Sequence, residues 1–116
     1  MIVKSAITAP RISVILPFFQ PGQRIEHAIK SIMHQTFHDW ELILVNNNAC
    51  EVSSAIARNW SERDQRIRIF HESVQSVAHA MNTGLRHARA DLIARMDADD
   101  ISLPLRLQKQ LEYMTL

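Results

Sequence analysis

Four short apolar runs alternate with longer segments of helical period, and this alternation most constrains what the chain can fold into. The runs occupy residues 12–16, 42–45, 67–70 and 92–96. Their β-branched and aliphatic side chains are typical of strands. The first two runs predict strands that are buried on both faces of a sheet.

Between the runs, the apolar residues follow the period of an amphipathic helix. The first stripe consists of Ile25, Ala28, Ile29, Ile32 and Met33, after a loop at Pro21. The second consists of Val52, Ala55, Ile56 and Trp60. The third consists of Val74, Val77, Ala78, Met81, Leu85 and Ala88. A fourth helix is predicted to begin near Pro104 and to carry Leu107 and Leu111.

Strands that alternate with helices predict an α/β fold, with a mainly parallel sheet between helices in three α/β/α layers. The 116 residues suffice for a single domain, residues 1–116, but not for a second lobe. In open sheets of this type, ligands bind beyond the carboxyl ends of the strands. The segments at these ends read PFFQPG, NNNACE, HESVQS and DADDIS.

Composition excludes several classes of protein. The chain is 47% hydrophobic with a net charge of +1, which excludes a disordered chain, and no run approaches the roughly 18 apolar residues of a membrane span. The balance of 13 Lys and Arg against 12 Asp and Glu argues against a nucleic-acid-binding protein. Because Cys50 is the only cysteine and residues 1–10 lack the apolar core of a secretory signal, we expect a cytosolic setting.

Three carboxylates, Asp97, Asp99 and Asp100, follow the fourth apolar run. If the extended backbone continues through them, Asp97 and Asp99 project to the same side, together with Arg95. Two converging carboxylates suit a hard cation such as Mg²⁺ or Mn²⁺, whose shell is completed by water and substrate phosphates. The alternative is a turn in which Asp99, Asp100 or Ser102 caps the fourth helix, and the residue types alone favour neither.

Other site classes lack their sequence signals. An EF-hand would need a ligand at Ile101, and Gly22 and Gly84 cannot form a dinucleotide-binding or Walker-type loop. Cys50 has no nucleophile motif around it, and the six histidines show no zinc signature.

An arginine cluster surrounds the second helix and the third strand, with Glu62 and Asp64 between its members. The cluster consists of Arg58, Arg63, Arg66 and Arg68. Interleaved acids favour an ordinary ion-paired surface, and the alternative is a patch for nucleic acid or lipid headgroups. Trp40 and Trp60 are predicted to be core or helix-packing residues.

Five segments in order resemble the family 2 glycosyltransferases, inverting enzymes of the GT-A fold that move a sugar from a nucleotide sugar to an acceptor. The segments are PFFQ at Pro17–Gln20, QTFHDWELILV at Gln35–Val45, then NNNA, AHAMNTGLRHA and RMDADDISLPLRL. Each is weak alone, but their order along nearly the whole chain makes the combination specific.

The resemblance implies nucleotide-binding roles by position. Pro17 and Phe19 would lie against the base and ribose, and Asn47 would take the place of a carboxylate that reads the base. Asn82 and Gly84 lie in the segment that closes over the nucleotide in the family, although both could equally serve helix packing.

The resemblance further implies a metal site and partners. Asp97 would touch the ribose or the metal, and Asp99 would hold the Mg²⁺ or Mn²⁺ that bridges the diphosphate. The donor would be a nucleotide sugar, with a UDP-sugar favoured, and the acceptor a glycan or a lipid-linked molecule in polysaccharide assembly. The setting would be cytoplasmic. The resemblance also admits peripheral association of the full-length enzyme with the inner face of the cell membrane, and a homo-oligomer.

Two departures from the family pattern change the expectation. The usual D-D-G-S loop reads NNNA here, which leaves the choice of base open. The chain ends about one helix after the Asp-x-Asp pair, so we expect the acceptor half and the catalytic base, located downstream of residue 116, to be absent. Such a donor-binding half should expose apolar surface and self-associate.

Two other functions are weighed against a donor-binding domain. A noncatalytic α/β module that acts by binding or self-association is favoured by NNNA, whereas the retained DADD favours the enzyme. A phosphoryl-transfer domain resembling haloacid dehalogenases is disfavoured, because its Asp-x-Asp motif follows the first strand and not the fourth.

Overall fold

The computed structural model describes residues 9–114 and confirms the alternation of strands and helices. The strands are β1 (Ile12–Phe18), β2 (Trp40–Asn46), β3 (Ile67–His71) and β4 (Leu92–Arg95). The helices are α1 (Arg24–Met33), α2 (Glu51–Arg63), α3 (Val77–His87) and α4 (Arg106–Met114). The expectation about a secretory signal rests largely on residues 1–8, which lie outside the described residues.

The four strands form one sheet in the order β3-β2-β1-β4, and all neighbours are parallel, which confirms the α/β prediction. β1 and β2 are central, and every residue of β2 is buried. All carboxyl ends therefore lie at one edge of the sheet, where the four following loops meet.

Helices cover both faces of the sheet and give the predicted three layers. On one face, α1, α2 and α4 contribute to a single buried cluster with β1. Its members include Val14, Leu16, Ile25, Ala57 and Leu107. On the other face, α3 packs Ala80 against Ile15 and Ile43. None of the helices within residues 9–114 is long and apolar enough to span a membrane.

The first and fourth predicted stripes face the core, but the second is wrong in part. In α2, Val52 is exposed, whereas Ser53 and Ser54 are buried. The Ser53 hydroxyl donates to the carbonyl of Gly22 at 3.2 Å, and Ser54 Oγ accepts from Nδ2 of Asn46 at 3.0 Å. These hydroxyls satisfy loop groups that an apolar stripe would leave without partners.

The third stripe is also wrong in part, because small residues of α3 face the sheet. Ala80 and Gly84 are buried, whereas Val77 and Leu85 are exposed. A Cβ atom added at Gly84 would lie 2.5 Å from Cγ2 of Ile15, so the helix approaches β1 more closely than a larger residue allows. Apolar periodicity does not report such a contact, since glycine contributes no apolar signal.

We expect Gly84→Ala to lower the free energy of unfolding by about 1 to 2 kcal/mol, because the added methyl group overpacks the contact with Ile15. This loss would occur although alanine normally stabilises a helix relative to glycine by roughly 0.5 to 1 kcal/mol. The control is Ala78→Gly at an exposed position of α3, which should lose only that propensity. Urea unfolding measures both variants, and a gain in stability for Gly84→Ala would contradict the close contact.

At the amino ends of the strands, Glu41 of β2 is a buried carboxylate with a 2% exposed side chain. It accepts hydrogen bonds from the Ser13 hydroxyl at 2.6 Å, from the Arg68 guanidinium and from the Arg89 backbone N–H at 2.7 Å. Burial raises the pKa of Glu41, but these hydrogen bonds outweigh burial and bring the pKa below its ordinary value of 4.5. The Ser13 hydroxyl also accepts from the backbone N–H of Ala90 at 3.0 Å, so the cluster fixes the connection between α3 and β4.

Among the described residues, the outer edge of β4 has no neighbouring strand. Two grooves of about 840 and 650 Å³ lie between this edge and α4. The exposed apolar residues of the region are Ile93, Ile101, Leu103, Leu105, Tyr113 and Met114. Exposed apolar surface of this kind favours association, and self-association itself stays a prediction.

In the part of the chain that the structure describes, three arginines of the cluster are ion-paired, but only Arg66 pairs with one of the interleaved acids, because Arg58 and Arg68 pair with glutamates outside that set. Arg66 lies 2.8 Å from Asp64, and Arg58 lies 2.8 Å from Glu51. The Arg66 guanidinium also stacks at 3.8 Å over the ring of Trp40, which is buried in the core as expected.

Candidate functional site

A cleft of about 210 Å³ lies at the carboxyl edge of the sheet. One wall is formed by the end of β1 and the turn that follows it, and the other by the turn after β4. The lining residues are Pro17, Phe18, Phe19, Gln20, Pro21, Arg24, Ala98 and Asp99. Three of the residues singled out in the sequence, Pro17, Phe19 and Asp99, thus line one cleft.

The three carboxylates lie in a turn and not in extended backbone. β4 ends at Arg95, the Met96 backbone N–H donates to the Ile15 carbonyl at 3.0 Å, and the Asp100 N–H donates to the Asp97 carbonyl at 3.1 Å. The extended geometry expected for this pair is therefore wrong, because the turn redirects the chain. The predicted proximity of Arg95 and Asp97 is confirmed, with 3.4 Å between Nη2 and Oδ1.

The capping alternative for the carboxylates does not apply in the described chain. α4 begins at Arg106, and Ser102 Oγ accepts a hydrogen bond from the Arg106 guanidinium at 2.9 Å. The Ser102 backbone N–H donates to Ser31 Oγ at 2.9 Å. Within residues 9–114 no helix N-terminus receives the side chain of Asp99 or Asp100, and both side chains are exposed. Their oxygens are therefore available to a ligand.

The carboxylates of this turn are suitable ligands for a hard divalent cation that takes only one or two of its ligands from the protein. Asp97 and Asp99 are exposed and two positions apart. No group of three His, Cys, Asp or Glu residues in the described chain could enclose a metal ion. Mg²⁺ and Mn²⁺ do not need such an enclosure, because one or two carboxylates suffice where water and substrate phosphates supply the other ligands.

Two asparagines beside Asn47 fix the loop that follows β2. Asn46 Oδ1 accepts from the backbone N–H of Ala49 at 2.8 Å. Asn48 has a φ of 64°, a left-handed conformation that asparagine tolerates better than most residues. Its Nδ2 donates to the carbonyl of Ser73 at 2.8 Å. The loop is thus joined to the segment that follows β3.

Asn47 makes three side-chain hydrogen bonds to that same segment and is 5% exposed. Its Nδ2 donates to the carbonyls of Glu72 at 2.8 Å and Val74 at 2.7 Å. Its Oδ1 accepts from the backbone N–H of Ser76 at 3.0 Å. The Asn47 backbone N–H donates to the Phe18 carbonyl at 2.9 Å, next to the cleft. Asn47 therefore connects the loop after β2 to the end of β1 through its backbone and to the segment after β3 through its side chain.

Glu72 and Thr83 are site-edge residues that sequence reasoning missed. The Thr83 hydroxyl donates to Glu72 at 2.6 Å, and the Val74 backbone N–H donates to Glu72 at 2.9 Å. These hydrogen bonds, with that from Thr83 the largest, lower the pKa of Glu72. No pattern in the sequence pairs residues 72 and 83, since the contact depends on how α3 docks on the sheet.

The two candidates on α3 lie differently from the other site residues. Gly84 faces Ile15 in the contact between helix and sheet, so packing accounts for it. Asn82 is exposed on α3. Neither residue lines the cleft, and a nucleotide-binding role for them stays a prediction.

Cys50 lies at the start of α2 and is half-buried. Its Sγ lies 3.3 Å from the Ser53 hydroxyl, and this hydrogen bond lowers the pKa of the Cys50 thiol. No set of histidines, cysteines and carboxylates in the described residues forms a metal cluster around it.

The sequence model of the family described as "Glycosyl transferase family 2" matches residues 13–115 of the chain. The O-antigen biosynthesis glycosyltransferase WbnJ of Escherichia coli is 36% identical over 104 residues, which cover 89% of this chain and 41% of that protein. The uncharacterized glycosyltransferase EpsJ of Bacillus subtilis is 38% identical over 91 residues, 78% of this chain and 26% of that protein. The chain spans less than half the length of these relatives.

Two solved structures show the same arrangement of strands and helices. The mannosyltransferase PcManGT from Pyrobaculum calidifontis, in complex with GDP-Man and Mn²⁺, superposes with a TM-score of 0.72 and 28% identity over 80% of this chain and 28% of that chain. TarS 1–349 from S. aureus, in complex with UDP, gives a TM-score of 0.82 at 16% identity over 90% of this chain and 32% of that chain. At the lower identity the likeness shows the fold alone.

Proposed function

Because the chain belongs to glycosyl transferase family 2, we propose that it forms the nucleotide-sugar-binding part of an enzyme that transfers a sugar to a glycan or lipid-linked acceptor. One observation carries the proposal. The end of β1 and the carboxylate turn after β4, two segments about 80 residues apart in the chain, line a single cleft. This cleft lies at the carboxyl edge of a parallel sheet, where such folds bind ligands.

The apolar wall of the cleft would receive the base and ribose of the donor. Phe19 lies in the lining and is 42% exposed, so its ring is accessible to a ligand in the cleft. Pro17 lies beside it and fixes the backbone at the end of β1. A flat apolar surface of this kind suits the face of a base. The cleft is smaller than the roughly 300 to 1,000 Å³ of typical ligand pockets, so it would hold only part of the donor.

The carboxylate turn would hold the divalent cation, Mg²⁺ or Mn²⁺, through Asp97 and Asp99. When bound, this cation supplies Lewis acidity and neutralises charge on the departing diphosphate. The complex of PcManGT with GDP-Man and Mn²⁺ supports the combination of a nucleotide sugar and a divalent metal. Arg24 lines the same cleft and adds a positive charge that could contact the diphosphate.

The proposed transfer also requires an acceptor site. Transfer with inversion needs a base that removes the proton of the acceptor hydroxyl, and no residue of this chain is assigned that role. The name of the Escherichia coli relative, which refers to O-antigen biosynthesis, supports a polysaccharide or lipid-linked acceptor. The proposal places the enzyme in the cytoplasm, at the inner face of the cell membrane where the acceptor is lipid-linked, and a UDP-sugar is its favoured donor.

A noncatalytic module is the second candidate function, and one observation favours it. The loop NNNA carries no carboxylate, and the side chain of Asn47 is committed to protein contacts. A module that retained the fold but lost the donor would show this pattern. The exposed carboxylate of Asp99, which lines the cleft with Phe19, favours the enzyme instead.

The test is a calorimetric titration of UDP, GDP and dTDP into the protein, first with Mn²⁺ and then with EDTA. We expect binding of at least one nucleoside diphosphate, weakened about tenfold or more by EDTA, because the cation connects the diphosphate to the carboxylates. As a control, circular dichroism in both buffers checks that the protein is folded. A folded protein that binds none of the three nucleotides would exclude the donor site and favour the noncatalytic module.

A further inference from the structure

We propose that Asn47 is a positioning residue that fixes the wall of the donor cleft through its amide group and does not read the base by contact. The inference rests on the proposed function and assigns Asn47 a different role within it. Its basis is the three side-chain hydrogen bonds that join Asn47 to the segment after β3, together with the backbone hydrogen bond from Asn47 to Phe18, the last residue of β1.

The hydrogen-bonding capacity of the Asn47 side chain is nearly exhausted by protein groups. Both protons of Nδ2 are used by two carbonyls, those of Glu72 and Val74, at 2.8 and 2.7 Å. Oδ1 accepts from the Ser76 N–H at 3.0 Å. A primary amide has two donor protons and one acceptor oxygen. No donor therefore remains for a base, and burial at 5% exposure restricts access to the oxygen.

The three partners also determine which chemical group can occupy position 47. Two backbone carbonyls and one N–H surround the side chain, so the group must donate twice and accept once. These partners fix the orientation of the amide, because the reverse orientation would bring Oδ1 against both carbonyls. A carboxylate of the same size would place negative charge against two carbonyl oxygens, which is unfavourable in a buried position. Position 47 is thus specific for an amide.

The segment that the side chain of Asn47 holds is linked to the cleft through the backbone of the same residue. The backbone N–H of Asn47 donates to the carbonyl of Phe18, and the neighbouring residues Pro17 and Phe19 line the cleft. The same residue holds the segment from Glu72 to Ser76 at the carboxyl edge. Around metal sites, residues that orient the ligands without touching the metal typically change affinity by roughly 10- to 100-fold when replaced, and we expect an effect of this order for a residue that holds a binding wall.

The experiment compares Asn47→Asp and Asn47→Ala with the wild type in titrations of UDP, GDP and dTDP with Mn²⁺. We expect Asn47→Asp to weaken binding of every nucleotide that the wild type binds, by a similar factor of about tenfold or more. Hydrogen exchange should show faster exchange of the Ser76 amide proton. Asn47→Ala removes the same bonds without the repulsion and should show a smaller loss. Asn59→Asp, the same change at an exposed position of α2, is the matched control and should bind as the wild type does.

A role in stability alone would lower the unfolding temperature but leave the affinity of the folded protein unchanged, so binding is measured well below that temperature. A further readout is pH. Protonation of the introduced carboxyl restores one donor, so the ratio of wild-type to Asn47→Asp affinity should fall as the pH is lowered towards about 5.

Three outcomes would contradict either the positioning role of Asn47 or the proposed function, and each outcome is distinguishable from the other two. If Asn47→Asp binds as tightly as the wild type, the positioning role is wrong and the donor site stands. If its affinity changes for one base and not for the others, Asn47 contacts the base and the inference is wrong. If the wild type binds no nucleotide while its Ser76 amide proton is protected, the proposed function fails together with the binding role, and only the structural contact remains.

Discussion

Replacement of Glu41 by alanine is expected to lower the free energy of unfolding by about 3 kcal/mol, a large part of the roughly 5 to 15 kcal/mol that stabilises a domain. Glu41 is buried and accepts hydrogen bonds from Ser13, Arg68 and Arg89. Its removal leaves these donors without their acceptor. Among the described residues, Nε of Arg68 is already buried without a hydrogen-bond partner. Urea unfolding at neutral pH measures the loss.

A control at an exposed glutamate makes the Glu41 experiment specific. Glu51→Ala removes a glutamate whose side chain is 81% exposed in its pair with Arg58, and its cost should be below about 1 kcal/mol. If both variants lost the same small amount, the buried cluster would not hold the connection between α3 and β4.

The pH dependence of the same variant has a definite sign. The pKa of Glu41 is lowered below 4.5 in the folded protein, so its stabilisation is fully present above pH 4.5 and is lost as the pH falls through the folded pKa. The difference in stability between the wild type and Glu41→Ala should therefore shrink below pH 4.5. A difference that stayed constant down to acid unfolding would show that the ionised carboxylate is not the stabilising form.

Asp99→Ala is expected to remove most of the Mn²⁺-dependent affinity for a nucleoside diphosphate, a loss of about 10- to 100-fold. Asp99 lines the cleft with Phe19 and Pro17, and its exposed oxygens are available to a cation. Without it, Asp97 alone remains, already in contact with Arg95 at 3.4 Å. The measurement is calorimetry of the nucleotide with Mn²⁺ and with EDTA, in which the variant should show the same weak affinity in both.

Asp100→Ala is the matched control for this experiment. Asp100 belongs to the same turn, but it lines the groove along α4 and not the cleft at Phe19. The variant should keep the dependence on Mn²⁺, while net charge changes equally in both variants. Equal losses for Asp99→Ala and Asp100→Ala would mean that the turn acts only by its total charge and that no specific metal site exists.

The binding effects of substitutions at Asp99 and Asn47 distinguish a residue that contacts the cation from a residue that positions the cleft wall. Asp99 is proposed to contact the cation, whereas Asn47 is proposed to act through the segment that it holds. Removal of the metal should therefore abolish the difference between Asp99→Ala and the wild type. It should preserve the difference between Asn47→Asp and the wild type.

Much of this fold could be predicted from the sequence because each strand is a short apolar run, and these runs alternate with segments of helical period. The runs of β1 and β2 are buried on both faces, so every position is apolar or internally paired. The cleft residues Pro17, Phe19 and Asp99 follow strands directly, and parallel strands bring their carboxyl ends to one edge. Their proximity thus followed from order along the chain.

The helix faces and the loop contacts could not be predicted in the same way. Periodicity identifies apolar residues, but in α3 the sheet is met by Ala80 and Gly84, whose small size permits a close approach. The side chain of Asn47 finds its partners 25 to 29 residues away. Hydrogen bonds between residues this far apart in the sequence depend on how the segments dock. They cannot be predicted from the residue type, because an amide side chain can both donate and accept.

The sequence by itself determined the order of strands and helices and the placement of an apolar turn and a carboxylate turn at one edge of the sheet. This holds because apolar burial and the direction of parallel strands depend on pattern alone. Only the tertiary structure decided that the carboxylates turn away from extended geometry, that Glu41 is a buried anchor and that Asn47 is enclosed by protein groups. These properties depend on which groups meet across the fold, and a buried polar group is fixed by its partners and not by its neighbours in the chain.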